Sequence, residues 1–206
     1  MKFSRLAIVL TVLLAVAPWV QASTDRISTH FSSDSVAANA PSFELSTETA
    51  YLVGIIGNPN SYEVAAQFFT ARWRWGVIER DSWMQGYNQV YATFMVEPLL
   101  RGPENFYYGI SLGFRYNFAK PGARFVPYVS GGVGLGWLDS HANIYGAQGQ
   151  DFTFNILTAT GVAYRINDHW KMDFGVQYQH FSNAAQTDPN PSVNLLGPQI
   201  GVTYSY

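Results

Sequence analysis

The chain has 206 residues with 12 Lys and Arg against 14 Asp and Glu, a formal net charge of -2, and no dense basic block, which gives no reason to expect a nucleic-acid partner. It is 16% aromatic and only 13% charged, against roughly 25% charged in an ordinary soluble domain. It contains no cysteine, so disulfides and thiolate metal ligands are excluded and stability rests on backbone pairing and packing.

In chain order, Lys2 and Arg5 precede an apolar run from Leu6 to Ala17, and Val20-Gln21-Ala22 forms a small-x-small cleavage pattern. Residues 1–22 therefore read as a cleaved secretory signal peptide, too short and wrongly flanked for a spanning helix. Residues 23–41 are polar without a period and read as a mobile N-terminal segment. The remaining 42–206 suit one domain. No stretch after the signal reaches the ~18 uninterrupted apolar residues that a membrane helix needs.

Segments 43–56, 62–78 and 86–97 read as strands whose faces the pattern leaves unassigned. From 105 to 118 the alternation is complete. Phe106, Tyr108, Ile110, Leu112, Phe114, Tyr116 and Phe118 make one face, and Asn105, Tyr107, Gly109, Ser111, Gly113, Arg115 and Asn117 the other. A strand of about fourteen residues is long for a soluble sandwich. In a barrel the same pattern places large residues toward lipid and small or polar ones toward the lumen. The pattern recurs from Phe125 to Trp137, from Phe152 to Arg165, from Trp170 to Gln179 and at the C-terminal Ile200, Val202, Tyr204 and Tyr206.

The fold expected is all-β: an eight-stranded antiparallel transmembrane β-barrel of the outer membrane. Eight is an even number, as in bacterial single-chain barrels, and gives a lumen filled by side chains. Both termini then lie in the periplasm. The turns around Lys120-Pro121-Gly122 and Asn167-Asp168 become periplasmic, and 98–104, 139–150 and 182–192 become extracellular loops.

That topology puts His180 and Ser182 at the extracellular rim, in the even, lipid-facing register of Phe174, Val176 and Tyr178. Counting back from Tyr206 through Ile200 places Asn194 in the outward register of the last strand. Polar groups there are costly unless they pair with one another or with lipid headgroups. On one face of extended backbone, a His Nε2 can reach a Ser Oγ two residues away and take its proton, making it a nucleophile. A third group on the other ring nitrogen would complete a triad, and N–H groups of the Asn183 to Asn190 turn could hold an oxyanion. On spacing alone, interfacial decoration is the commoner meaning of a His-x-Ser pair.

Elsewhere, Asp139 and His141 lack a third ligand for a metal and read as a solvated loop. His169 beside Asp168 reads as a turn residue, and Trp73-Arg74-Trp75 as interfacial belt and lumen charge. Gly131, Gly132, Gly134 and Gly136 lie within a strand and precede no helix, so they make no phosphate loop.

The stretches His180-Phe181-Ser182-Asn183-Ala184 and Asn190-Pro191-Ser192-Val193-Asn194-Leu195-Leu196-Gly197 resemble the C-terminal signature of the acyloxyacyl hydrolase family. Its characterised members are PagL-type lipid A 3-O-deacylases. Residues 127–136 and 152–155 resemble other recurring segments, and the likeness is good over 105–206 and loose before. It implies an outer-membrane esterase that releases the 3-O-linked acyl chain of lipid A, with no cofactor or metal and with lipopolysaccharide as partner. A homodimer is allowed.

Carried over by position, His180 is the general base and Ser182 the nucleophile, with Asn183, the N–H of Ala185 and Asn190 near the oxyanion. The chain departs from the pattern twice. Ala185 stands where Gly is usual, restricting the turn to conformations that a Cβ tolerates. Asn194 stands where the family has the Glu that orients the His. An amide oxygen can still accept the imidazole N–H but carries no full charge, so the sequence implies a slower enzyme or one using another carboxylate such as Asp188. The alternative is a noncatalytic eight-stranded barrel that binds lipopolysaccharide or a small apolar ligand.

Overall fold

The computed structural model describes residues 35–56 and 62–206. The signal-peptide expectation lies outside them. Eight strands follow one another: β1 (Phe43–Ile55), β2 (Glu63–Ile78), β3 (Gly86–Arg101), β4 (Phe106–Asn117), β5 (Phe125–Leu138), β6 (Phe152–Arg165), β7 (Trp170–Ser182) and β8 (Val193–Ser205). Each pairs antiparallel with the next, and β8 returns to β1 to close the barrel. Closure leaves no strand edge, as a sheet in lipid requires.

The alternation in β4 and β5 sorts as the sequence suggests. Ile110, Leu112 and Phe114 face outward and are exposed, while Tyr107, Ser111, Arg115 and Asn117 face inward and are buried. Gly113, Gly132 and Gly136 point into crowded space, where a Cβ would come within 2.5 Å of the Tyr91 or Tyr107 side chain or of the Gly131 carbonyl. Small residues on the inner face make room for the large aromatic ones.

β3 extends to Arg101 rather than ending at 97. Residues 98–104, expected as a loop, begin with Pro98, which cannot donate to a ladder. Here Pro98 occupies the last β3–β4 pair, opposite Phe106, and β3 keeps its register against β2 past it as far as Leu99, opposite Val64, before a shift brings Arg101 opposite Glu63.

The lumen is full. Its middle holds the ion pairs Arg72–Glu48, Arg115–Asp173 and Lys171–Glu44, all with side chains at most 8% exposed. Gln89, Asn117, Thr203 and Ser205 donate hydrogen bonds that bind these groups into networks. Such charges tolerate burial because they are paired and hydrogen-bonded. The cavity left among them is about 30 Å³. Above them, Tyr62, Met95, Leu99, Tyr107, Leu138, Phe181, Val193 and Leu195 form an apolar layer.

At the terminal end, Val36–Asn39 forms one turn of helix, α1. Ser35 caps it through Ala38 N–H, Glu79 accepts from the amides of Val36 and Ala37, and Arg74 donates to the carbonyls of Ala37 and Ala40. Val36 and Ala40 pack with Tyr87, Ala119, Val126 and Ala163. The sequence suggests no regular structure over 23–41, because about one helical turn is too short to show a period. Arg74, read as lumen charge, instead holds α1 against the barrel. With the interior filled, the wall is the surface left for chemistry.

Candidate active site

Side chains two apart on extended backbone share a face. In β7, Gln177, Gln179 and Phe181 point inward and are buried, so Tyr178, His180 and Ser182 point outward. The inward set anchors the strand: Phe181 is fully buried, stacked on Tyr107 with ring centroids 5.0 Å apart and edge-on to Tyr62 at 6.3 Å. β8 pairs with β7 without a bulge, and Asn194 stands directly opposite His180. The parity count thus places all three predicted residues together on the outer wall.

They form a chain. His180 Nε2 lies 3.3 Å from Ser182 Oγ, and His180 Nδ1 lies 2.9 Å from Asn194 Oδ1. The amide orientation follows from its other end, since Asn194 Nδ2 donates to the carbonyls of Ile56 at 3.2 Å and Ser192 at 3.4 Å. Those acceptors require nitrogen on that side, which leaves Oδ1 facing the imidazole. An acceptor at Nδ1 makes Nδ1 the protonated nitrogen and Nε2 the free base beside Ser182. Asp188, the carboxylate that sequence offers as a substitute, has no part in this chain, because the Nδ1 position is taken.

The loop after β7 is arranged differently from expectation. Asn183 is fully buried; its Nδ2 donates to the carbonyls of Thr187 and Pro189, and its N–H donates to Asn190 Oδ1 at 2.9 Å. Asn183 is therefore a loop support, and its side-chain donors are not available to an oxyanion. The loop is also tied to the one before β6, through Gly149 N–H to Pro189 O at 2.7 Å and Gln148 Nε2 to Pro191 O. Gln148 N–H in turn donates to Glu104, which also accepts from Tyr62. Burial pushes both the Glu104 carboxyl and the Tyr62 phenol upward from their ordinary values.

Among the described residues, the amides of Ala184 and Ala185 and the Nδ2 of Asn190 donate to no protein group. Ala185 and Asn190 thus keep donors that no protein group takes, and the Asn183 side chain does not.

Ala185 does not avoid the glycine conformation. Ala184 has φ 54° and Ala185 φ 58°, and Gln186 N–H donates to Asn183 O at 3.2 Å. Both central residues at positive φ make a type I′ turn, which usually takes Asn-Gly. A Cβ in the left-handed region costs about 1–2 kcal/mol, and glycine gives back about 0.5–1 kcal/mol as backbone entropy. Ala185→Gly is expected to stabilise the turn by about 0.5–1 kcal/mol, slowing amide exchange at Gln186 about two- to fivefold. Unchanged or faster exchange contradicts the strain.

Sequence reasoning did not assign Tyr178 to the site. Its hydroxyl donates to Asn194 Oδ1 at 2.8 Å. The outward register held the signal, since Tyr178 shares the face of His180. Asp139 binds the amides of Asn105 and Phe106; it thereby caps the start of β4.

The family model for lipid A 3-O-deacylase (PagL) matches residues 60–203, well over half of the chain. The chain belongs to the PagL lipid A 3-O-deacylase family. Two solved structures share its fold. The outer membrane enzyme PagL is 18% identical with a TM-score of 0.57, over 77% of this chain and 97% of that one. Neisserial surface protein A (NspA) is 15% identical with a TM-score of 0.60, over 80% and 97%. No curated protein matches the chain. The PagL-family match spans every outward residue of the chain from Tyr178 to Asn194.

Proposed function

We propose that the protein is an outer-membrane esterase that hydrolyses the 3-O-linked acyl chain of lipid A by a Ser/His mechanism. The observation that carries this reading is the continuous Ser182–His180–Asn194 chain on the outer wall of a barrel whose lumen is filled. A substrate held in the bilayer meets that wall directly.

His180 Nε2 takes the Oγ proton as Ser182 attacks the ester carbonyl. The negative charge that develops on the carbonyl oxygen is held by the amide of Ala185 and the Nδ2 of Asn190. Collapse breaks the bond to the 3-oxygen of the sugar, which leaves with the proton from His180. Water then attacks the acyl-Ser182, again giving its proton to His180, and releases the fatty acid and free serine. Asn194 fixes the tautomer throughout. Hydrogen bonds to an ionised acceptor are roughly twice as strong as those to a neutral one, so the amide gives direction with weaker support of the imidazolium.

Exposed aromatic residues support the membrane setting: Trp73, Trp75, Phe125 and Tyr206 toward the terminal end, Tyr51, Phe106, Tyr108 and Trp137 toward the other, with Ile110, Leu112, Val133 and Val176 between. In this setting the termini lie in the periplasm and the site at the outer-leaflet boundary, after export by the cleaved signal peptide.

The neutral Asn194 favours a second reading, a barrel that binds lipopolysaccharide without cleaving it. The deciding experiment incubates the refolded protein with lipid A in detergent and weighs the lipid by mass spectrometry. Loss of one hydroxyacyl group is expected. Intact lipid A with persistent lipopolysaccharide binding selects the second reading.

A further inference from the structure

We propose that Tyr178 is a positioning residue of the hydrolytic site, acting through Asn194; the proposal rests on the esterase reading above. Tyr178 precedes His180 by two residues on the same outward face, opposite Leu196 of β8. Its hydroxyl and His180 Nδ1 meet on one atom, Asn194 Oδ1, at 2.8 Å and 2.9 Å.

A carboxylate holds an imidazole by charge as well as by direction; an amide offers direction alone. The direction of an Asn side chain is loosely set, because rotation about its last bond is broad. Here the amide is held at both ends. Nδ2 is tethered to the carbonyls of Ile56 and Ser192, and Ile56 adopts φ 35°, a genuine outlier for a β-branched residue. Tyr178 tethers the oxygen end. Its hydroxyl and the imidazole that Oδ1 has to orient converge on that oxygen. The two donors use the two lone pairs of that oxygen, so both ends of the amide are fixed. A tyrosine that only satisfies its hydroxyl at a membrane boundary would leave turnover untouched.

The test is a double-mutant cycle on refolded barrel with lipid A as substrate. Tyr178→Phe keeps the ring and is expected to lower kcat about fivefold, the worth of one hydrogen bond, with KM within twofold of wild type. In an Asn194→Ala background the same change is expected to have no further effect. An unchanged kcat in Tyr178→Phe, or an equal loss in both backgrounds, overturns the proposal. The imidazole nitrogen spectrum of His180, read by 15N labelling, is a second measurement independent of turnover. The wild type is expected to show protonated Nδ1 alone, and Tyr178→Phe a mixture of tautomers. If wild type releases no acyl chain, the esterase reading fails, and this spectrum still decides whether Tyr178 orders the imidazole. Identical spectra would show that it does not.

Discussion

Ser182→Ala is expected to lower the rate of acyl release from lipid A by about 10³-fold or more, with KM little changed and the barrel intact. The Oγ forms the bond to the acyl carbon, so its removal deletes the covalent route. What remains is whatever the amide of Ala185 and Asn190 Nδ2 contribute to direct attack by water. His180→Ala is expected to cost about as much, because Oγ without a base at Nε2 stays protonated. The two losses do not multiply: residues that act as a unit fail together. The double variant is therefore expected to match either single variant, which initial-rate measurements on the three proteins would show. Independent, multiplying losses would mean that His180 and Ser182 do not share a step, despite lying 3.3 Å apart.

Arg115→Leu is expected to destabilise the barrel by about 3–5 kcal/mol, the cost of leaving a buried charge without its partner. Arg115 donates to Asp173 at 2.6 Å, donates to Asn117 at 2.9 Å, and lies over the Tyr128 ring at 3.6 Å from its centroid. The Arg115 and Asp173 side chains are 4% and 1% exposed. In the variant, Asp173 keeps a single hydrogen bond from Thr203. Replacing both charges with apolar side chains is expected to recover much of the loss, since the pair itself repays little beyond its desolvation. The urea midpoint, at unchanged slope, reads both effects. The folded fraction of Arg115→Leu should turn over lipid A at the wild-type rate, because this network faces the lumen and the site faces lipid. A loss confined to turnover would link the lumen to the reaction.

Much of the architecture was legible in the sequence because membrane barrels write it plainly. β4 and β5 alternate without interruption, and that register is the one the structure shows. The same parity carried Asn194 to the outer wall beside His180, since no bulge falls between Val193 and Ser205. β3 was less legible: it runs past Pro98 because its pairing with β2 holds in register to Leu99, a cross-strand contact that local pattern does not show. The turn of α1 is too short to have a period.

At the candidate site, parity gave the face but not the hydrogen bonds. Whether Asn183 turns its amide toward substrate or into its own loop depends on the fold of 183–192. The left-handed Ala184-Ala185 pair is the opposite of what alanine suggests there. Tyr178 was visible as an outward residue, yet its bond to Asn194 depends on an amide orientation set by Ile56 and Ser192, one of them from the far neighbour strand. Local pattern cannot carry such a contact.

The most direct measurement of the central claim is to quench the protein in acid during turnover of lipid A and weigh the peptide that carries Ser182. The mechanism predicts a hydroxyacyl group esterified to Ser182 in wild type and none in His180→Ala. Fatty acid released with no acylated Ser182 at any quench time, and at the same rate from Ser182→Ala, would contradict it.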